Sequence, residues 1–105
     1  MEISFVVVIT TTDNREKAQW LTDKVLNERF AACAQIFEVE SRYWWKGRIE
    51  NANEYRIEFK TKFELIKGLI ERIKTLHSYE VPEIIVLPII EGEKNYLKWI
   101  EEENK

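Results

Sequence analysis

With 105 residues, 45% of them hydrophobic, the chain is expected to form one domain, 1–105, with ample material for a core. Its 16 Lys and Arg against 19 Asp and Glu give net charge −3 and a pI near 5.3, which removes the electrostatic footprint of a nucleic-acid binder. No apolar stretch approaches the roughly 18 residues of a membrane span, the run Ile3–Ile9 is too short for a signal peptide, and a lone Cys33 rules out an intrachain disulfide, so a cytoplasmic protein without a membrane partner is expected.

Ile3 to Thr11 is rich in β-branched residues and almost continuously apolar, which predicts a central strand buried on both faces. Asp13, with Glu16 three residues on, reads as a capping-box start. Ala18, Leu21, Val25 and Leu26 then recur at spacings of three and four in a helix ending near Glu28 to Phe30.

Ala32 to Trp45 predicts a long strand, and Lys46-Gly47-Arg48 supplies the glycine of a tight hairpin turn. Adjacent residues of a strand point to opposite faces, so Trp44 and Trp45 cannot share one. Trp45 continues the row Phe37, Val39, Tyr43, whereas Trp44 falls in a row with Glu38, Glu40 and Arg42 that a lone domain would leave wetted. The returning strand sets Tyr55, Ile57 and Phe59 against Glu54, Arg56, Glu58 and Lys60, with Glu50 to Asn53 free to loop out or bulge.

Thr61 and Glu64 repeat the capping-box spacing, and Phe63, Ile66, Leu69, Ile70, Ile73 and Leu76 form the apolar stripe of a second helix. Ile84 to Ile90 predicts a last strand, which Pro88 assigns to a sheet edge or a bulge. Asn95 to Glu103 reads as a short terminal helix packing through Tyr96, Leu97, Trp99 and Ile100.

Strand, helix, strand, strand, helix, strand is the order of the α+β, ferredoxin-like split βαβ plan, a four-stranded antiparallel sheet with two helices on one face. The other face is left bare. A Trp at position 44, outside the domain's own core, implies a partner subunit with Tyr43, Trp44 and Trp45 at the contact, and closed rotational symmetry is the usual way to cover one repeated patch.

Chemistry is sparser. Three glycines, at 47, 68 and 92, exclude a dinucleotide fingerprint and a P-loop. One histidine excludes two-His and three-His metal sites within a chain and leaves no catalytic triad, so no enzyme is expected. The aromatic-glycine string of an RNA-recognition module is absent, and Thr10 to Asp13 replaces the anion loop of an acylphosphatase-like enzyme.

Cys33 is either a small buried hydrophobe or a soft ligand for Cu(I). His77 closes the second helix, where the dipole favours an imidazolium, or serves as a ligand. Glu83 after Pro82 is a solvated boundary carboxylate or a metal ligand, and Lys60 a rim charge or an anion contact.

Tyr43-Trp44-Trp45-Lys46-Gly47-Arg48, with Ala31-Ala32-Cys33 before it and His77-Ser78-Tyr79-Glu80-Val81-Pro82-Glu83 after it, resembles the CutA divalent-cation tolerance family, as do Lys60-Thr61, Tyr96 and Trp99. The resemblance implies a ferredoxin-like homotrimer whose long hairpins embrace neighbouring subunits, with tolerance to Cu2+ or another divalent cation and metal binding through His77 and Glu83, Cys33 being the matching thiol. Thr10 stands where some members carry a further cysteine, and Ser78 where a proline is common. Trimers of the same fold also include PII-type small-molecule sensors, so the expected function is metal-binding tolerance, with a sensor or a non-catalytic scaffold trimer as alternatives.

Overall fold

A computed structural model describes residues 2–105. Strand β1 (Phe5–Thr12) is followed by α1 (Arg15–Asn27), β2 (Cys33–Trp45) and β3 (Arg48–Lys62). A 3-10 turn over Phe63–Leu65 leads into α2 (Ile66–Leu76), then β4 (Ile84–Ile89) and α3 (Lys94–Glu103). The strands form one antiparallel sheet in the order β2-β3-β1-β4, the expected split βαβ arrangement. β1 is central, and Pro88 sits on edge strand β4, where its missing N–H costs no ladder bond.

The main core lies between one sheet face and helices α1 and α2. Val6, Val8, Ile57 and Phe59 meet Ala18, Leu21, Val25, Leu69 and Ile73, all buried. The bidentate contact of Arg72 with Glu28, 2.6 Å at each nitrogen, ties α2 to the end of α1. Gly68 lets α2 lie close to the Phe30 ring, since a Cβ there would stand 2.8 Å from Cε1 unless the ring shifted.

Local details depart from the expectation at three points. Asn14, rather than Asp13, caps α1 by accepting from the backbone N–H of Lys17. Thr61 caps no helix; it lies buried in β3 and donates to the carbonyl of Phe30. Glu50 to Asn53 neither loops nor bulges, because the β2–β3 ladder runs unbroken from Cys33↔Lys60 to Trp45↔Arg48.

That register also reverses the faces assigned to the tryptophans. Ala34 pairs with Phe59 and Ile36 with Ile57, so the even row of β2, ending in Trp44, belongs to the helix-covered face. The odd row Phe37, Val39, Tyr43, Trp45 lies on the opposite face, not in the main core. Trp44 is nonetheless 72% exposed, since β1 ends at Thr12↔Tyr55 and the segments Val39–Trp45 and Arg48–Glu54 continue as a two-stranded ribbon with no third strand beside them.

The second face is not wholly bare. α3 brings Tyr96 against Cys33 at one end, and Ile9 and Ile100 are fully buried. Phe37, Ile85 and Leu87 remain exposed on this face.

Candidate functional site

The segment from Ser78 to Glu83, between α2 and β4, folds toward the hairpin and closes one side of a cleft of about 800 Å³. Its other walls are Ser41 to Trp45 at the far end of β2, Thr11 of β1 and Glu54 of β3. Thr11, Tyr43, Trp45 and Glu54 fall on the second face by strand alternation, and Arg42 and Trp44 on the helix-covered one.

Its back wall is a hydrogen-bonded relay. The Tyr79 hydroxyl donates to Oε2 of Glu54 at 2.7 Å, the backbone N–H of Tyr79 donates to Nδ1 of His77 at 3.1 Å, and Nε2 of His77 lies 2.7 Å from the carbonyl oxygen of Thr11. Nδ1 accepts, so the proton resides on Nε2 and is donated to Thr11. The His77 and Tyr79 rings stand 4.8 Å apart.

Burial sets the electrostatics of both rings. It pulls the His77 imidazole below its ordinary value of 6.5, with Lys17 adding to the effect and the Thr11 carbonyl, Asp13 and Glu54 opposing it. His77 is therefore a neutral anchor, not the imidazolium expected at a helix end, because burial disfavours the charged ring. Burial, then the hydrogen bond to Glu54, raises Tyr79 far above the ordinary tyrosine range, so its hydroxyl remains a donor.

The expected ligands do not converge. His77 stands behind the cleft wall with both ring nitrogens engaged, and Glu83 is exposed on the lip. Cys33 begins β2, ten residues before Tyr43, which at ~3.3 Å per residue is about 33 Å of strand from the cleft. Its neighbours are Tyr96 and the row of Lys60, whose ammonium bonds Gln35. Among the described residues no group of three or more His, Cys, Asp and Glu is placed to hold a metal ion.

Glu54 and Tyr79 are the residues that sequence reading missed. Alternation assigned Glu54 to a wetted row, yet it is only 6% exposed. Its one sequence signal is a carboxylate beside the segment His77 to Glu83, visible only once the fold joins them.

The sequence model of the family described as CutA1 divalent ion tolerance protein matches residues 6–103. The divalent-cation tolerance protein CutA of Pyrococcus horikoshii is 41% identical over 100 residues, 95% of this chain and 98% of its own length. The chloroplastic protein CutA 1 of Oryza sativa is 38% identical over 96 residues, and the chain spans 54% of that relative's length. The crystal structure of CutA1 from Oryza sativa superposes with a TM-score of 0.95 at 36% identity, covering 98% of this chain and 95% of that one. CutA1 from Pyrococcus horikoshii gives a TM-score of 0.93 at 41% identity, over 95% of this chain and 98% of that one.

Proposed function

The chain belongs to the CutA1 divalent ion tolerance family, and from that premise we propose a cytoplasmic, non-catalytic homotrimer whose divalent cation, Cu2+ among the candidates, is bound at a site completed by assembly. The observation that carries this is the lone ribbon Val39–Trp45 with Arg48–Glu54, which bears Tyr43, Trp44, Trp45 and Ile49 into solvent beside the Glu83 lip. A two-stranded ribbon by itself is marginal in water, and full burial of one large aromatic is worth about 1.5–3 kcal/mol, so a second copy over the ribbon is strongly favoured.

The residues of one chain do not make a closed metal site. Glu83 is the accessible oxygen ligand, and His77 acts on it by holding the segment that starts at Ser78. Cys33 is too distant along β2 to share that site within a chain. The remaining ligands come from water or a neighbouring subunit, which ties binding to assembly.

Calorimetric titration of Cu2+ and Zn2+ into wild type, Glu83→Gln and His77→Gln, with oligomeric mass followed by light scattering, tests this. A trimer with saturable binding weakened in Glu83→Gln is expected. A persistent monomer, or copper affinity unchanged in Glu83→Gln, defeats the reading.

The cleft itself favours a second reading, a trimeric small-molecule sensor. Its volume of about 800 Å³ falls inside the roughly 300–1,000 Å³ of small-molecule sites, and aromatic walls with a few convergent polar groups are their usual composition.

A further inference from the structure

We propose that Arg29 and the segment Glu103–Lys105 form a latch that holds α3 as a strap across the second face, and that release of the latch lets the strap lift. The latch is built within one chain, just before the start of β2, and so lies at the opposite end of that strand from the cleft and the ribbon.

Arg29 marks the site by its backbone. Its N–H donates to the carbonyl of Leu26 at 3.0 Å and that of Phe30 to Val25 at 3.1 Å, a Schellman ending for α1 that sets Arg29 at φ 63°, where glycine is the ordinary residue. An arginine there carries a steric penalty. Its side chain supplies the offset: Nη1 donates to both the carbonyl oxygen and Oε1 of Glu103, each at 3.0 Å, and the Arg29 carbonyl accepts from the N–H of Lys105 at 2.9 Å. Nζ of Lys105 then lies 3.7 Å from the centroid of the Phe30 ring.

The closed state is reversible because opening leaves little unpaired. Oδ1 of Asn104 is buried without a partner when the latch is shut, so lifting the segment returns it to water. Lys62 is shared between Glu64 at 3.3 Å and Glu101 of α3 at 3.6 Å; when α3 lifts, Glu64 keeps the ammonium paired. The Arg29 and Glu103 side chains are 60% and 44% exposed, so salt screens their attraction and shifts the latch toward release.

The strap covers the second face near Cys33. α3 packs on β3, buries Ile100 completely and sets Tyr96 against the thiol. Its other end is capped by Glu93 and joined to β4, so the helix lifts from the latched end.

Cys33, the lone cysteine, reports that motion. Its labelling by a maleimide, and hydrogen exchange of the α3 amides read by mass spectrometry, are compared at low and high salt in wild type, Arg29→Gly and Glu103→Ala, each checked for wild-type oligomeric mass. Both rates should rise several-fold in Arg29→Gly even though glycine relieves the backbone strain, since local opening governs them. Glu103→Ala keeps the carbonyl acceptor and the Arg29 backbone, so its rise should be smaller; high salt should speed wild type and leave this variant unmoved. Unchanged or slower α3 exchange in Arg29→Gly, as strain relief alone would give, overturns the latch. Faster labelling with α3 still protected also overturns it, by placing the route to the thiol elsewhere.

Discussion

The hydroxyl of Tyr79 donates to Oε2 of Glu54 at 2.7 Å, joining the segment after α2 to a strand 25 residues earlier. Glu54 is buried where alternation alone would leave it wet, and this hydroxyl is what offsets part of its desolvation. Removing the donor while leaving the carboxylate buried is the costly half of such a pair. Tyr79→Phe should therefore destabilise by about 1–3 kcal/mol, and Tyr79→Phe/Glu54→Leu by less than the two single changes together. Urea unfolding at fixed protein concentration measures both, and simple additivity would mean that the bond is dispensable.

His77 gives stability a pH dependence of definite sign. Its folded-state value lies below 6.5 because burial disfavours the charged ring, so as pH falls the unfolded chain takes up this proton first. The stabilisation is fully present above about 6.5, the unfolded value, and is lost as pH drops from there through the folded value. Protonation also turns Nδ1 into a donor facing the Tyr79 N–H, releasing the start of the cleft loop. Below about pH 6.5 the melting temperature of wild type should fall more steeply than that of His77→Gln. Parallel slopes would show that carboxylates alone govern the region.

Trp44, 72% exposed and paired across the hairpin with Ile49, contributes nothing to the core of a single chain. Trp44→Glu is accordingly expected to keep native secondary structure by circular dichroism while losing oligomeric mass in light scattering. A wild-type mass would place the subunit contact elsewhere than this edge of the ribbon.

The turn between β2 and β3 has φ of 50° at Lys46 and 81° at Gly47, the two positive values of a type I′ hairpin. Lysine bears a Cβ penalty there that asparagine largely escapes, so Lys46→Asn should stabilise by a few tenths to about 1 kcal/mol. Gly47→Ala should do the reverse, although a Cβ would meet nothing within 4 Å, because the strain is in the backbone. Thermal melts of the two variants should move in opposite directions.

Element order, the hairpin turn and the edge position of the Pro88 strand were all legible in the chain, because each depends on local periodicity or on one residue's backbone limits. The two-residue turn also fixes the faces of the hairpin rows. With Lys46-Gly47 as a two-residue loop, Ile57 and Phe59 must oppose Ile36 and Ala34, which places the even row of β2, Trp44 included, on the core face. Alternation distinguishes two rows but does not say which one is covered; register against an already buried strand does.

The cleft lay beyond sequence reading. Thr11, Glu54 and Tyr79 are far apart in the chain, and their relay exists only because β1, β3 and the loop after α2 end at the same edge of the sheet. The same meeting buries His77 and makes it neutral, against the local pull of a helix end, and leaves Cys33 at the far end of β2. Backbone preference and side-chain period act over a few residues, so the sequence alone determined the elements and their order. Desolvation and hydrogen-bond partnership arise between distant segments, so only the tertiary structure decided which polar groups are buried together.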